Sequence, residues 1–275
     1  MAKNSVAKST VAMGAATMIS RVTGLLRTWA MAFALGNTLI TSAYQVANNM
    51  PNVIYEFVAG GLIGAAFVPI FMLEKENGGR KKSNEFSCNM LNITIVVLGV
   101  ISVLATIFAP QIIATQTFTV ADTAQVTESS IFFFRIFAFQ ILFYGVSGIL
   151  QGFVNAERIY FLPALAPAVN NVVVIASFLI YAVLSPSNDF LALVILATGT
   201  TLGVLVQTLM LIPSLIKCKF KWQPIFRISD PALKKAIKIA IPTFIYIVGT
   251  LVAFSCRNAF SLQIADNGPS TLLYA

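Results

Sequence analysis

The sequence predicts an all-α integral membrane protein, a polytopic helix bundle of about seven spans and the start of an eighth. Three observations predict it. Only 10% of the 275 residues are charged while 57% are hydrophobic, at a mean hydropathy of +0.84, where a soluble domain carries about 25% charge. Several apolar runs reach about 20 residues, the length that crosses roughly 30 Å of hydrocarbon. The Lys and Arg residues sit in the gaps between runs, on alternate sides. Runs this long need helices, because a barrel strand is only about 10 residues of alternating character.

The spans fall near 10–35, 43–72, 88–110, 129–154, 162–184, 190–214 and 237–260, and Ser270 begins another apolar run. The start, MAKNSVAKST, has the basic character of a signal-peptide n-region. The stretch behind it is too long for a cleaved segment and contains Arg21 and Arg27, so it is read as a retained first helix.

Loop charge sets the orientation. Lys3 and Lys8 precede span one; Lys75, Arg80, Lys81 and Lys82 follow span two; Arg158 follows span four. Lys217, Lys219, Lys221, Arg227, Lys234, Lys235 and Lys238 follow span six. The opposite loops hold Asp122, Asp189 and Asp266 and no Lys or Arg. The N-terminus is therefore expected in the cytoplasm. The basic stretch at 217–236 reads as a linker between two bundles with snorkelling lysines, in preference to an interfacial segment on anionic headgroups. Asp230-Pro231 has the form of a helix start, with Asp as N-cap and Pro at the first position.

Composition also excludes classes. The net charge of +8 is distributed as loop charge, so no nucleic-acid partner is expected. There is no His, no paired-carboxylate site, no phosphate-binding glycine loop and no nucleophile elbow, so no enzyme is expected. Cys88, Cys218 and Cys256 lack metal-ligand spacing and are expected to pack as small apolar residues; no metal or cofactor is expected.

Five ionisable residues fall inside spans: Arg21, Arg27, Glu56, Arg135 and Arg257. Each costs about 2.5–3.5 kcal/mol at a helix centre. Arg135 and Arg257 lie near outer ends, where snorkelling suffices. Arg21 lies roughly 22 Å, and Arg27 roughly 14 Å, below the outer end of span one. Glu56 lies roughly 21 Å below the outer start of span two. Equal depth on consecutive antiparallel spans predicts an Arg21–Glu56 ion pair that leaves Arg27 as the free cation. Guanidinium is a planar donor fork suited to phosphate, so deep arginines suit an anionic headgroup that must cross. Pro51, Gly60, Gly61, Gly64 and Pro69 in span two, with Pro163, Pro167 and Pro242 in later spans, suit irregular helices around a cavity.

Particular residues carry a resemblance. Ser20-Arg21-Val-Thr-Gly24-Leu-Leu-Arg27 is similar to the SRxxGxxR signature of the MurJ/MviN family. Pro51-Asn52, Ala59-Gly60-Gly61 and Ala66-Phe67-Val68-Pro69-Ile70 follow the family's pattern in span two. Gly152, Asn155, Phe161, Pro163-Ala164, Ala166-Pro167 and Asn170 or Asn171 follow its pattern at the span four–five junction, and Gly203, Gln207 and Pro213 fit in span six.

The resemblance implies the first six-helix bundle of a two-bundle exporter fold: residues 1–216 as that bundle, 217–236 as a basic cytoplasmic linker and 237–275 as the start of the second bundle. It implies a flippase that moves lipid II, the undecaprenyl-diphosphate-linked peptidoglycan precursor, from the inner to the outer leaflet of the bacterial cytoplasmic membrane. Arg21 and Arg27 then hold the headgroup diphosphate, with Ser20, Asn52 and Glu56 beside them and Tyr55 and Arg257 as additional cavity residues. Membrane lipids and cell-wall synthesis proteins are the other implied partners. Two departures stand out: many relatives have an arginine pair where this chain has Tyr55 and Glu56, and an acid where it has Gly60. The chain ends at Tyr274-Ala275, just before a further cavity arginine of some relatives, so a longer protein is expected and this half alone is not expected to flip lipid. The rival readings are export of another polyprenyl-linked saccharide or of a drug, and a membrane scaffold for cell-wall enzymes. A pure scaffold has no reason to bear the cost of deep arginines.

Overall fold

The computed structural model describes the backbone of residues 2–60, 62–117 and 124–264, and side chains from 11 to 256 apart from 61, 62, 117–124, 244, 247, 251, 254 and 255. The described residues are helices and turns. Helix α1 (Ala2–Leu35) ends at Gly36, whose φ of +64° turns the chain. Thr38 caps α2 (Leu39–Tyr55), its hydroxyl accepting from the Thr41 amide at 3.3 Å. Two π-helical segments, Glu56–Gly60 and Leu62–Ala66, carry α2 into α3 (Phe67–Ile107). A kink at Gly78-Gly79, with Gly79 at φ +65° and ψ −162°, divides α3. Its first part prolongs span two and its second part is span three. Then follow α4 (Ala109–Thr117), α5 (Ala124–Phe137), α6 (Gln140–Ala156), α7 (Phe161–Leu184), α8 (Asp189–Leu209), α9 (Ile212–Lys217) and α10 (Pro231–Ile264).

By length and composition, Ile63–Ile107, Phe161–Leu184 and Asp189–Lys217 can each cross a membrane, and Gln125–Phe137 with Gln140–Ala156 make a fourth, bent by 42°. Neither Pro nor Gly causes that bend. The Thr201 hydroxyl donates to the Ile136 carbonyl at 3.2 Å, taking an acceptor the helix would otherwise use. Span two was expected to be irregular, and it widens into π turns, where Gly60 and Gly64 supply no side chains to hold the α pitch. Span six breaks at Met210-Leu211, because Pro213 has no N–H to continue the ladder.

The order of packing differs from the order of sequence. Helix α1 lies along α7 and barely meets α2; α7 packs on α8, α3 on α6, and α2 on α5 and α6. Helix α10 lies against the second π segment, α3 and α4. The centre is aromatic. Tyr44 of α2 meets Phe133, Phe137 and Phe178 edge-on at 5.3–5.6 Å, and its hydroxyl bonds Thr200 of α8 at 3.1 Å. Where α7 and α8 cross, Gly199 and Gly203 let Ser177 and Asn170 approach the α8 backbone.

The connection from α9 to α10 is strapped along α3. Asn84 pairs with Lys221 as a strand would, its amide donating to the Lys221 carbonyl at 2.7 Å and accepting from the Lys221 N–H at 3.3 Å. Asn89 does the same to Arg227 at 3.0 and 2.6 Å. Asn92 donates to the Gln223 and Ile225 carbonyls, both at 2.8 Å, and accepts from the Trp222 indole at 3.0 Å. Phe220 packs edge-on against Phe153 of α6 at 4.8 Å. This segment was expected to be a plain linker. The side-chain amides of α3 satisfy its backbone in place of water. Asp230 caps α10 as expected, accepting from the Ala232 amide at 2.8 Å.

Cys88 and Cys218 are buried as expected, whereas Cys256 is exposed on α10. Burial, then nearby Glu157, pushes the Cys218 thiol up, against the lowering effect of Arg80, Lys217 and Lys75. Asp122, Asp266, the side chains of Lys3, Lys8 and Arg257, and the expected eighth span from Ser270 lie outside the described residues.

Candidate functional site

The two arginines are on one uninterrupted helix, about 9 Å apart along its axis and roughly 120° apart around it. Arg21 points with Val22, Leu25 and Leu26 onto the exposed side of α1. Arg27 is half-buried, on the stripe that includes Ser20 and Gly24. That stripe is held by α7: the Asn171 amide donates to the Ser20 carbonyl at 3.3 Å and to the Thr23 hydroxyl at 3.1 Å. Of the neighbouring asparagines at 170 and 171, it is therefore Asn171 that grips the arginine-bearing turn.

The Arg21–Glu56 ion pair does not form. Among the described residues the ion pairs within 4.0 Å are Lys75–Glu157 at 2.9 Å and Arg227–Glu85 at 4.0 Å. Glu56 is exposed, in the first π segment, and its carboxylate accepts from the Asn52 amide at 3.3 Å. The pair was inferred from equal depth and adjacency, and the adjacency does not hold. Helix α1 packs on α7, so α1 and α2 do not face each other at that level. Since Glu56 neutralises neither arginine, Glu56→Gln is expected to change stability by less than about 0.5 kcal/mol. A thermal unfolding midpoint several degrees lower in detergent would contradict this.

Arg27 instead has buried tyrosines within electrostatic reach. Its charge acts on Tyr44 of α2 and Tyr144 of α6. Tyr144 donates to the Gln140 amide oxygen at 3.4 Å, and the Gln140 amide donates to Thr201 at 3.3 Å. Tyr55 rests on Tyr144 with ring centroids 5.9 Å apart, its hydroxyl against the backbone of Gly148. The residues named from sequence thus divide into three groups. Tyr55 joins the Tyr144–Gln140 cluster, with Arg27 in electrostatic reach of Tyr44 and Tyr144; Asn52 and Glu56 pair with each other; and Arg21 stands apart on the open side of α1. Sequence reasoning did not single out Tyr44, Gln140 or Tyr144, and named Asn171 only as an alternative to Asn170 in the family pattern. Their one signal was that they are polar side chains inside apolar runs.

Among the described residues Arg27 is half-buried and has no carboxylate within 4.0 Å, so the charge of its planar donor fork is not cancelled by an ion pair. The tyrosine and glutamine groups add hydrogen-bonding capacity without cancelling the charge.

Comparison with known proteins gives the family. A sequence model described as Lipid II flippase MurJ matches residues 31–275. The match begins four residues beyond Arg27. A probable lipid II flippase MurJ from Buchnera aphidicola is 24% identical over 269 residues, covering 98% of this chain and 51% of the relative. The lipid II flippase MurJ of Burkholderia cenocepacia is 27% identical over 264 residues, covering 94% and 50%. The chain thus spans about half the length of the curated relatives it matches. Among solved structures, a lipid II flippase MurJ in an inward closed conformation superposes with a TM-score of 0.70 at 19% identity, covering 96% of this chain and 55% of that one. A MOP-superfamily transporter from Pyrococcus furiosus gives 0.71 at 14%, covering 97% and 58%. These likenesses show the helical exporter fold. The sequence match over 31–275 shows more: this chain belongs to the MurJ family of lipid II flippases.

Proposed function

We propose that this chain forms the front half of a flippase that carries lipid II from the inner to the outer leaflet of the bacterial cytoplasmic membrane by alternating access. Arg27 receives the diphosphate, and Arg21, on the open face of α1, meets it on the way. Residues 1–216 form one bundle of six spans, and 237–275 begin a second, giving seven spans and the start of an eighth. The N-terminus and the basic loops are cytoplasmic. Ser20 and Asn52 border the path, and Tyr55 closes its inner wall. Cell-wall synthesis proteins are the partners such an activity serves. The work is transport, with no chemistry on the lipid.

The observation that carries this reading is Arg27, half-buried with no carboxylate within 4.0 Å among the described residues and with Tyr44 and Tyr144 in electrostatic reach, in a chain of this family. A phosphate that displaces water from such a site gains charge-assisted hydrogen bonds worth about 1.5–3 kcal/mol each. The chain in lipid nanodiscs is expected to bind lipid II about tenfold or more tightly than the same lipid lacking its diphosphate. Equal binding of the two would overturn the assignment. Binding of a cationic drug with no response to lipid II would favour the drug-export reading. For orientation, a cysteine introduced near Lys81 should resist a membrane-impermeant maleimide in intact cells and react after permeabilisation. Labelling in intact cells would reverse the topology.

A further inference from the structure

Helix α3 changes character along a single stripe. Asn84, Cys88, Asn92, Val96 and Val100 follow one another four residues apart in a row that winds about 40° round the helix per step, and Asn92, Val96 and Val103 share one face. The lower three bind the 218–230 strap. The upper three are bare, with Val96 50%, Val100 55% and Val103 51% exposed. A bare valine face on a helix long and apolar enough to cross a membrane is a lipid-facing surface. The strap therefore ends about 6 Å below the start of that surface, at the level of Asn92.

The strap presents a particular chemistry there. Trp222, Phe226 and Ile228 are exposed at 60%, 49% and 67%, although they are bulky and apolar. Lys219, Lys221 and Arg227 alternate with them and are exposed too. From 217 to 238 the chain has seven basic side chains and one acid, Asp230, whose carboxylate is engaged in capping α10. The asparagine contacts hold the backbone still, so these side chains project from a fixed edge. Lys219 takes a positive φ of 51°, turning the chain out of α9 toward α3.

We propose that the strap 219–228 is an interfacial anchor that binds anionic phospholipid headgroups of the cytoplasmic leaflet. Trp222 sits at the boundary between headgroup and acyl chain, its indole N–H held by Asn92 just under the valine face. Lys219, Lys221 and Arg227 face lipid phosphates, which the negative surface potential of such a leaflet favours. Phe226 and Ile228 enter the same layer. A protein partner would have no reason to be level with the lipid-facing stripe, and charge complementarity favours the leaflet. The inference uses the cytoplasmic placement of this loop and is independent of what is transported.

The chain has two tryptophans, so Trp29→Phe leaves Trp222 as the only one. Trp29 stacks on Phe33 and has no part in the strap. The full-chain variant is placed in nanodiscs of phosphatidylcholine mixed with brominated lipid. Bromine near the headgroup is expected to quench Trp222 more than bromine near the chain end. At equal mole fraction, brominated phosphatidylglycerol should quench at least about twofold more than brominated phosphatidylcholine. That preference should vanish in high salt and in the Lys219→Ala/Lys221→Ala/Arg227→Ala variant, whose folded yield is checked by gel filtration. Quenching by aqueous iodide alone would overturn the proposal, leaving the surface for a soluble partner. Equal quenching by both lipids would overturn it as well, since it would show burial in the interface without headgroup recognition.

Discussion

Arg27→Ala, introduced in the encoding gene in its full reading frame, is expected to abolish growth when no other flippase is supplied, while the protein still reaches the membrane. The reason lies in its surroundings. The side chain is half-buried on the α7-facing stripe of α1, with Tyr44 and Tyr144 in electrostatic reach, and among the described residues no carboxylate lies within 4.0 Å of it. Alanine removes a cation and leaves neutral hydroxyls that bind a diphosphate weakly. Losing a bidentate guanidinium–phosphate contact costs about 3 kcal/mol or more, over a hundredfold in affinity. Arg27→Lys keeps the charge and loses the fork, so growth should be impaired and lipid II binding should fall by about tenfold. Because Arg27 has no structural ion pair to break, both variants should keep near-normal thermal stability. Normal growth of Arg27→Ala with membrane levels unchanged would remove the case for a phosphate contact at this residue.

Gly203→Leu is expected to lower the yield of folded protein severely. A Cβ at Gly203 would stand 2.3 Å from the Asn170 amide oxygen, 3.1 Å from a Val174 methyl and 3.2 Å from the Asn170 backbone carbonyl. The first neighbour could swing away, but the backbone can yield only by separating α7 from α8. Helix α7 also carries α1, so that separation would loosen the helix bearing both arginines. Overpacking of this kind costs about 1–3 kcal/mol, and leucine lies at or beyond the upper end. Gly203→Ala should show the smaller version. Gly99→Ala is the control, since a Cβ there meets nothing within 4 Å and should be neutral or slightly stabilising. Detergent gel filtration and thermal midpoints read the difference. If Gly203→Leu matched the Gly99→Ala control, the close α7–α8 crossing would not be a stability determinant.

The two predictions differ in what made them visible. Arg27 could be singled out from sequence because a charge deep in an apolar run is costly wherever the helices go. Gly203 matched a family pattern, but its burden could be seen only once Asn170 was found against it. The same division runs through the other elements. The Asp230 cap was readable because capping is decided within three residues. The turn at residues 78–79 fell in a basic gap, as loop charge required. The bend between α5 and α6 was not readable, because it depends on a hydroxyl from α8, sixty-five residues away.

The sequence by itself determined that this is a polytopic helical membrane protein of the MurJ type, with a strong charge asymmetry and two arginines within the apolar run of its first helix. Those features follow from hydropathy, charge placement and short motifs, all of which act locally along the chain. Tertiary structure alone decided which helices meet. Depth is one coordinate, and it placed Arg21 level with Glu56, but lateral packing put α1 on α7 and left that pair unformed. It also decided that Asn84, Asn89 and Asn92 hold the strap. Their spacing marks one side of a helix but names no partner, because an amide can bond any backbone brought within about 3 Å of it.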